Sequence, residues 1–482
     1  METFHLRGGI HPVYRKELSS EQAIRPLPLP GRLYIPLQQH VGAESVAIVA
    51  AGERVLKGQV VSVRLGTLSA AQHAPTSGRV LAIDTLTAPH ASGLSQQTII
   101  IEADGLDEWA PLPATIDDPL SAPPQQIVER VASSGIVGLG GAIFPAAVKL
   151  GMGGQYKLDT LLVNGAECEP YLTCDDRLMR EHADEVVDGA RIMAHALGVL
   201  TIIIAVEQDK PQAIERLRQA ASAFRGVRVV GVPVRYPAGY AQHLTRIVTG
   251  REVPAGHRNA EVGVVVHNVA TARAVHDAVR LGRPLISRVV TVTGGAIRQP
   301  SNLEVPIGAL VSDLVAFCGG TRGTPRQIVL GGPMMGQPLP SLEVPVVKGS
   351  GGVLMLSDDE VVEARERPCI RCGSCMEACP CGLSPMDMAA LIRKDKLEAA
   401  AKLHVADCIG CGSCAWACPS YIPLVQYFNY ANGALADEER RRRKNQRTRT
   451  LSEAHAMRAE HTEKARKDAR AARPAEKTGS PA

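Results

Sequence analysis

The stretch from Pro368 to Pro380 reads PCIRCGSCMEACP, and DCIGCGSCAWACP runs from Asp407 to Pro419, so eight of the 12 cysteines fall in two short runs. Each run has the spacing C-x2-C-x2-C-x3-C-P: Cys369, Cys372, Cys375 and Cys379, then Cys408, Cys411, Cys414 and Cys418. Thiolates three residues apart wrap three sulfurs around one corner of an iron–sulfur cube, and the proline turns the chain out of helix after the fourth. Structural zinc takes its four ligands typically as separated pairs, which gives no reason for the middle cysteine of such a run. The spacing predicts two [4Fe-4S] clusters, a wire for single electrons rather than a metabolite site. Gly373, Gly410 and Gly412 would let backbone amides approach the sulfurs, where hydrogen bonds tune the potential. Cys381, Cys168, Cys174 and Cys318 have no ligand spacing and are expected to be structural.

The same run occurs in bacterial ferredoxins, where the fourth cysteine of each run serves the other cluster. That resemblance implies one cluster on Cys369, Cys372, Cys375 and Cys418 and the other on Cys408, Cys411, Cys414 and Cys379. An electron wire needs a donor, and two further segments carry residues suited to an anionic cofactor. GIVGLGGAIFPAAVKLG, residues 135–151, sets Gly135, Gly138, Gly140 and Gly141 ahead of Phe144 and Lys149. Glycines bring amides close to a phosphate, and a lysine supplies countercharge. NGAECEPYLTCDDRLM, residues 164–179, presents Asn164, Glu167 and Glu169, and carboxylates beside a phosphate loop can bind ribose hydroxyls. Ordinary loop solvation is the alternative for those side chains.

Elements must position these loops. From about residue 30 to 105, β-branched runs alternate with glycine and proline, an all-β pattern. GERVLKGQVV and APTSGRVLAI resemble the two halves of a biotinyl- or lipoyl-type barrel-sandwich, but LGTLSAAQH between them holds no lysine, so a swinging-arm carrier is not expected. From residue 122 helical and strand patterns alternate as βαβαβ, which predicts a mostly parallel, doubly wound sheet with ligands at the carboxyl ends of its strands. Residues 285–335 read as strand, turn, strand and short helix. DMAALIRKDKLEAAAKLH, between the two cysteine runs, reads as a helical connector.

A chain of 482 residues exceeds one hydrophobic core, so several domains are expected. It has no apolar run long enough to span a bilayer and no signal-like start, so a cytoplasmic chain is expected, where clustered cysteines mean metal ligation rather than disulfides. Residues 440–482 carry 14 Lys and Arg against 5 Asp and Glu, which leaves the body net acidic. This tail is helix-prone without an apolar stripe and reads as a solvated extension, with anionic lipid or an acidic partner as further options. Nucleic acid is not expected, because the tail lacks aromatics and the body is acidic.

GLGGAIFPAAVK and NGAECEP resemble the loops that hold FMN and NADH in the flavin subunit of respiratory complex I. The RnfC (also RsxC) component of the Rnf/Rsx electron transport complex is a closer resemblance, carried by FHLRGGIHP, NGAECEPYLTCDDRLM, GGPMMG, VPVVKGSGG and both cysteine runs, over roughly residues 4–432. It implies that Gly138, Gly140, Gly141 and Lys149 cradle FMN with Asn164, Glu167, Asn268 and Thr271, the last two from HNVAT. It also implies that Phe144 stacks on the nicotinamide nucleotide while Glu169, Tyr236 and Gly239 line its pocket. In the family a glutamate follows Gly239 by two positions, where this chain has Ala241; Ala166 stands where complex I has an aspartate.

The implied architecture is multidomain α/β. It comprises a barrel-sandwich hybrid domain (1–121), a Rossmann-like FMN/NADH domain (122–284), a small β-grasp (SLBB) module (285–343), a helical ferredoxin-type 2[4Fe-4S] domain (344–432) and a basic, flexible or helical tail (433–482). The implied function is a peripheral subunit on the cytoplasmic face of the bacterial inner membrane, partnered by membrane-embedded and iron–sulfur subunits and indirectly by ferredoxin. NADH would be its substrate, FMN would divide the electron pair for the clusters, and the complex would couple NADH/ferredoxin chemistry to Na+ or H+ movement. Two other readings are a relay adaptor without nucleotide oxidation and a soluble flavin dehydrogenase subunit of hydrogenase or formate dehydrogenase type.

Overall fold

Alternating apolar residues and tight glycine turns build the first region of the computed structural model, which describes residues 4–471. Leu33 and Ile35 of strand Arg32–Pro36 stand opposite Ile101 and Ile99 of Ser95–Ala103, and all four are buried. Gly78–Thr87 and Arg54–Val55 complete this antiparallel sheet, and Val46–Ala47, Val60–Val63 and Gln72–His73 form a second.

The next region carries near-continuous apolar runs, as strands covered on both faces require. Strands β1 (Thr160–Gly165), β2 (Thr201–Glu207), β3 (Val227–Val232) and β4 (Val264–Asn268) make a fully parallel sheet in the order β3-β2-β1-β4. The chain steps from β1 outward through β2 and β3, then returns to the other side of β1 to lay down β4. The crevice above the carboxyl ends of β1 and β4 is therefore the topological switch point, where such sheets bind ligands. Helices α1 (Ala183–Leu197) and α2 (Val269–Arg280) cover one face. Gly189 of α1 packs on α2 so closely that a Cβ there would lie 1.9 Å from the Ala272 carbonyl oxygen.

A six-stranded sheet follows, in the order Ile24–Pro26, Ser301–Pro306, Ser287–Thr293, Gly352–Leu356, Gln327–Leu330, Gln337–Pro338. Two of the expected domain edges shift here. Gly352–Leu356, assigned from sequence to the cysteine region, is a buried strand between Ser287–Thr293 and Gln327–Leu330, because its five apolar residues require sheet on either side. Ile24–Pro26, assigned to the barrel-sandwich, pairs in parallel with Ser301–Pro306. Barrel and β-grasp residues also share one core, in which Leu33, Ile99 and Val55 lie with Val290, Leu303 and Val353.

The chain forms two compact units, residues 1–382 with 411–422, and residues 383–410 with those from 423 onward. In the second unit Pro385–Ile392 and Leu397–Ala401 pack on the start of helix α3 (Leu424–Ala471), burying Met388, Ile392, Ala400, Phe428 and Ala431. The expected boundary at residue 433 falls inside α3, which continues as one exposed helix, so the tail is helical through Ala471; residues 472–482 lie outside those described. Among the described residues no helix is long and apolar enough to cross a membrane.

Replacing Gly189 by Ala should force α1 and α2 apart and destabilise the sheet region by about 2 kcal/mol, seen as a lower denaturant midpoint. An unchanged midpoint would show that the helices separate at no cost.

Candidate functional site

At the switch point the ends of two parallel strands set two asparagines side by side. Asn164 of β1 and Asn268 of β4 are register partners. The Asn268 Oδ1 accepts the Ala270 amide at 2.8 Å and caps α2, while its Nδ2 donates to Asp175 at 2.6 Å. Asn164 donates to the Gly239 carbonyl at 2.8 Å and accepts the Ala166 amide at 2.9 Å.

The glycine loop lies over this pair. The Leu139 amide donates to the buried Thr271 hydroxyl at 2.9 Å, and a Cβ on Gly140 would meet the Asn268 Cβ at 3.1 Å. Gly140 and Gly141 are exposed, and among the described residues their amides donate to no group. Gly141, at φ +94°, has open space where a side chain would stand. Lys149 follows at the end of a short helix and donates to the Val266 carbonyl of β4 at 3.0 Å, where burial lowers the pKa of its amine. Two exposed, unpartnered amides, a nearby lysine and polar strand ends fit the phosphate and polar edge of FMN. Phe144 is partly buried at the loop's end, and the Gly138 amide closes the loop onto its carbonyl at 2.9 Å.

The carboxylates are more internal than their sequence reading implied. Glu167 is buried and accepts the Asp175 amide at 2.8 Å and the Cys174 thiol at 3.3 Å, and burial raises the pKa of its carboxyl. Lys16 Nζ reaches the carbonyls of Glu167, Glu169 and Leu172 at 2.6, 3.1 and 2.7 Å, pinning this loop from a distant segment. Glu169 accepts the amides of Met334 and Met335 at 3.1 and 2.9 Å, which ties GGPMMG to the site, and burial pushes its carboxyl up to about 7. Sequence reasoning passed over Lys16 and Arg288, since neither stands in a motif. The buried Arg288 donates to the carbonyls of Leu139 and Lys348, so it holds the glycine loop from below.

Tyr236 was expected to line a pocket. It is instead 1% exposed, and its hydroxyl donates to the carbonyl of Cys411 at 2.7 Å. Ile10 and Tyr236 exchange backbone bonds of 2.8 and 3.0 Å, and the Gly9 amide donates to Ala378 at 2.9 Å. Gly8 lies so close to Cys379 that a Cβ would stand 2.4 Å from its carbonyl oxygen. The FHLRGGIHP segment thus runs between the sheet region and the cysteine segment.

The two cysteine runs have matching backbones. Arg371 and Gly410, at the same place in each C-x2-C, have φ of 56° and 67°; Gly373 and Gly412 have 84° and 79° and open the turns Ser374–Glu377 and Ser413–Trp416. The Arg371 amide donates to the Cys369 sulfur at 3.4 Å, and Ser374 and Ser413 hydroxyls lie 3.4 Å from the sulfurs of Cys372 and Cys411. Burial raises the Cys411 thiol pKa, and Cys379 of the other run is near enough to raise it further. None of the 12 cysteines, Cys375, Cys408, Cys414 and Cys418 included, is joined in a disulfide. Repeated turns that set a small polar group beside a sulfur fit cluster ligation. Cys168, Cys174 and Cys318 are buried, while Cys381 is only partly so.

Two measurements follow. Tyr236→Phe strands the Cys411 carbonyl at a cost of about 1–2 kcal/mol, so a chelator should strip iron from the loaded variant faster; an equal rate would show the bond to be idle. The folded Glu169 pKa lies above the unfolded value, so the folded chain holds that proton more tightly and stability falls as pH rises from about 4.5 to 7, by about 3 kcal/mol. Glu169→Gln should abolish that share of the slope in denaturant midpoints taken from pH 5.5 to 7.5, and a parallel slope would contradict it.

Similarity to known proteins agrees with this arrangement. The RnfC barrel sandwich hybrid domain matches residues 4–106, the Nuo51 FMN-binding domain 131–277, the SLBB domain 289–338 and the 4Fe-4S dicluster domain 368–422. The RnfC-type component of the ion-translocating oxidoreductase complex of Rhodobacter capsulatus is 52% identical over 92% of this chain and 85% of its own length. The corresponding component of the proton-translocating ferredoxin:NAD(+) oxidoreductase complex of Clostridium ljungdahlii is 43% identical over 88% of this chain and 92% of its own. Its counterpart from Pseudomonas aeruginosa is 44% identical over 95% of this chain, which spans 59% of that longer relative. An NAD+-reducing [NiFe]-hydrogenase structure is distantly similar, at 19% identity and a TM-score of 0.46 over 63% of this chain and 62% of that one. With two such relatives matched over most of both chains, this chain belongs to the RnfC/RsxC family of the Rnf/Rsx ion-translocating oxidoreductase complex.

Proposed function

We propose that the chain is the NADH-oxidising subunit of such a complex, with FMN at the β1/β4 crevice and two [4Fe-4S] clusters on the eight cysteines. It docks on the cytoplasmic face of the bacterial inner membrane, against the membrane-embedded and iron–sulfur subunits of the same complex. The observation that carries this reading is the convergence of the glycine loop, Asn164 and Asn268 on one switch point, in the compact unit that also holds all of these cysteines except Cys408. FMN, when bound, supplies the conversion of a hydride donor's electron pair into electrons delivered singly.

The chain's own residues bind and orient. The free amides of Gly140 and Gly141 receive the phosphate, and Lys149 adds charge. Asn164 and Asn268, fixed by their bonds to Gly239 and Asp175, offer polar contacts at the strand ends. Thr271 and Arg288 hold the glycine loop from beneath through Leu139, and Glu167 fixes the following loop through the Asp175 amide. Phe144, at the loop's end, is the surface for a nicotinamide ring, and Glu169 would line the nucleotide pocket. Cys369, Cys372, Cys375 and Cys418 would hold one cluster, and Cys408, Cys411, Cys414 and Cys379 the other, the exchange of fourth ligands that the ferredoxin-like spacing implies.

The anaerobic chain, loaded with iron, sulfide and FMN and given stoichiometric NADH, should bleach its flavin. No bleaching by NADH or NADPH, with flavin bound and clusters intact, would contradict the reading and leave an electron relay. Gly141→Ala, which must adopt φ near +94°, should weaken FMN binding by about tenfold and leave the iron content unchanged. Equal FMN affinity would place the phosphate elsewhere.

A further inference from the structure

Helix α3 is long, exposed and charged, and its charges are sorted by side. From Arg440 to Ala471 it carries 12 Lys and Arg against four acidic residues. At about 100° per residue, Arg440, Arg441, Arg443, Lys444, Arg447, Arg458, Arg466 and Arg470 fall within one half of the helix surface. No acidic residue of this stretch falls among them. Glu453, Glu460, Glu463 and Asp468 all lie on the opposite half, where Arg442, Arg449, Lys464 and Lys467 balance them. Bonds within the helix follow the same division, since Arg449 pairs with Glu453 at 2.9 Å and Lys467 with Glu463 at 2.9 Å on the balanced side. On the cationic side Arg440 and Arg443 reach back to Asp437 and Glu439, while the other six form no ion pair among the described residues. The six without a local counter-ion, from Arg441 to Arg470, span about 44 Å at 1.5 Å per residue.

We infer that this face of α3 docks the chain on an anionic lipid surface, by charge alone and without inserting. Like charges crowded along one side of a helix cost free energy unless an external anionic surface receives them. Charge complementarity with a lipid leaflet suits a long stripe that has no pocket or apolar ridge to seat a particular protein. Nucleic acid is disfavoured because the stretch from Arg440 to Ala471 contains no Phe, Trp or Tyr on which bases stack. Apolar insertion has no basis, since Leu451 is the only large aliphatic side chain on the cationic half. The inference rests on the membrane placement proposed above and is independent of the flavin reading.

The test uses the full, cofactor-loaded chain and sedimentation with vesicles of phosphatidylcholine, with or without phosphatidylglycerol. The chain should bind only the anionic vesicles, and salt should release it. Each basic residue near an anionic leaflet contributes about fivefold. The quadruple variant Arg441→Gln, Lys444→Gln, Arg447→Gln, Arg458→Gln should therefore lose about 100-fold or more in partition. Arg442→Gln, Arg449→Gln, Lys464→Gln, Lys467→Gln removes the same charge from the balanced side and should lose several-fold at most. Equal losses, equal binding to neutral vesicles, or tighter face-dependent binding to a duplex oligonucleotide would each overturn the inference. Native membranes that contain the other subunits separate the two claims. A chain retained there but indifferent to vesicles sinks the role of α3 and leaves the membrane placement standing, whereas loss from both sinks both.

Discussion

A chain that oxidises a two-electron donor and empties into single-electron carriers must hold the two sites in a fixed relation. Here much of that relation rests on one buried contact, the Tyr236 hydroxyl on the carbonyl of Cys411. A hydrogen bond of this kind contributes about 1 kcal/mol net, but losing it leaves a buried carbonyl unpaired. The N-terminal strap reinforces it. Ile10 bonds Tyr236 in both directions, Gly9 bonds Ala378, and Gly8 fits against Cys379 where any side chain would collide. Strap, tyrosine loop and cysteine turns are therefore each bonded to the other two.

The crevice follows from topology before any residue is chosen. A parallel sheet that grows first to one side of β1 and then to the other leaves a gap above β1 and β4. Asn164 and Asn268 close the polar rim of that gap, and α2 starts there because Asn268 caps it. Burying Glu167 and Asp175 so near the gap is costly, and burial raises both carboxyl pKa values. Lys16, Arg288 and the amides at the start of Cys174–Glu181 offset that cost. The site is thus a region of compensated charge, stiff enough to hold loop backbones in place.

What was legible in the sequence was local. Cysteine spacing announced a 4Fe-4S dicluster segment because a cube corner takes sulfurs three residues apart, and the glycine run marked a loop with exposed amides because close backbone approach needs glycine. The apolar runs of β1 and β2 announced a parallel sheet. What was hidden depends on contacts between residues far apart in the chain. Lys16 meets Glu167 across 151 positions and Tyr236 meets Cys411 across 175, and neither carries a spacing to betray it. Gly352–Leu356 was misplaced because its partners lie upstream in the chain, beyond a loop. Helix propensity left the tail flexible or helical, and its charge sorting appears only when residues are wound at 3.6 per turn.

The most direct test of the account runs the electrons backward in a single turnover, which removes any dependence on how low the cluster potentials lie. The clusters are reduced, excess reductant is removed and NAD+ is added, with FMN present or stripped. The account predicts that FMN-loaded chain forms one NADH for each pair of electrons lost by clusters and flavin together, with the clusters reoxidised, and that flavin-free chain forms none. NADH from the flavin-free chain, or none from loaded chain whose clusters stay reduced, would contradict it.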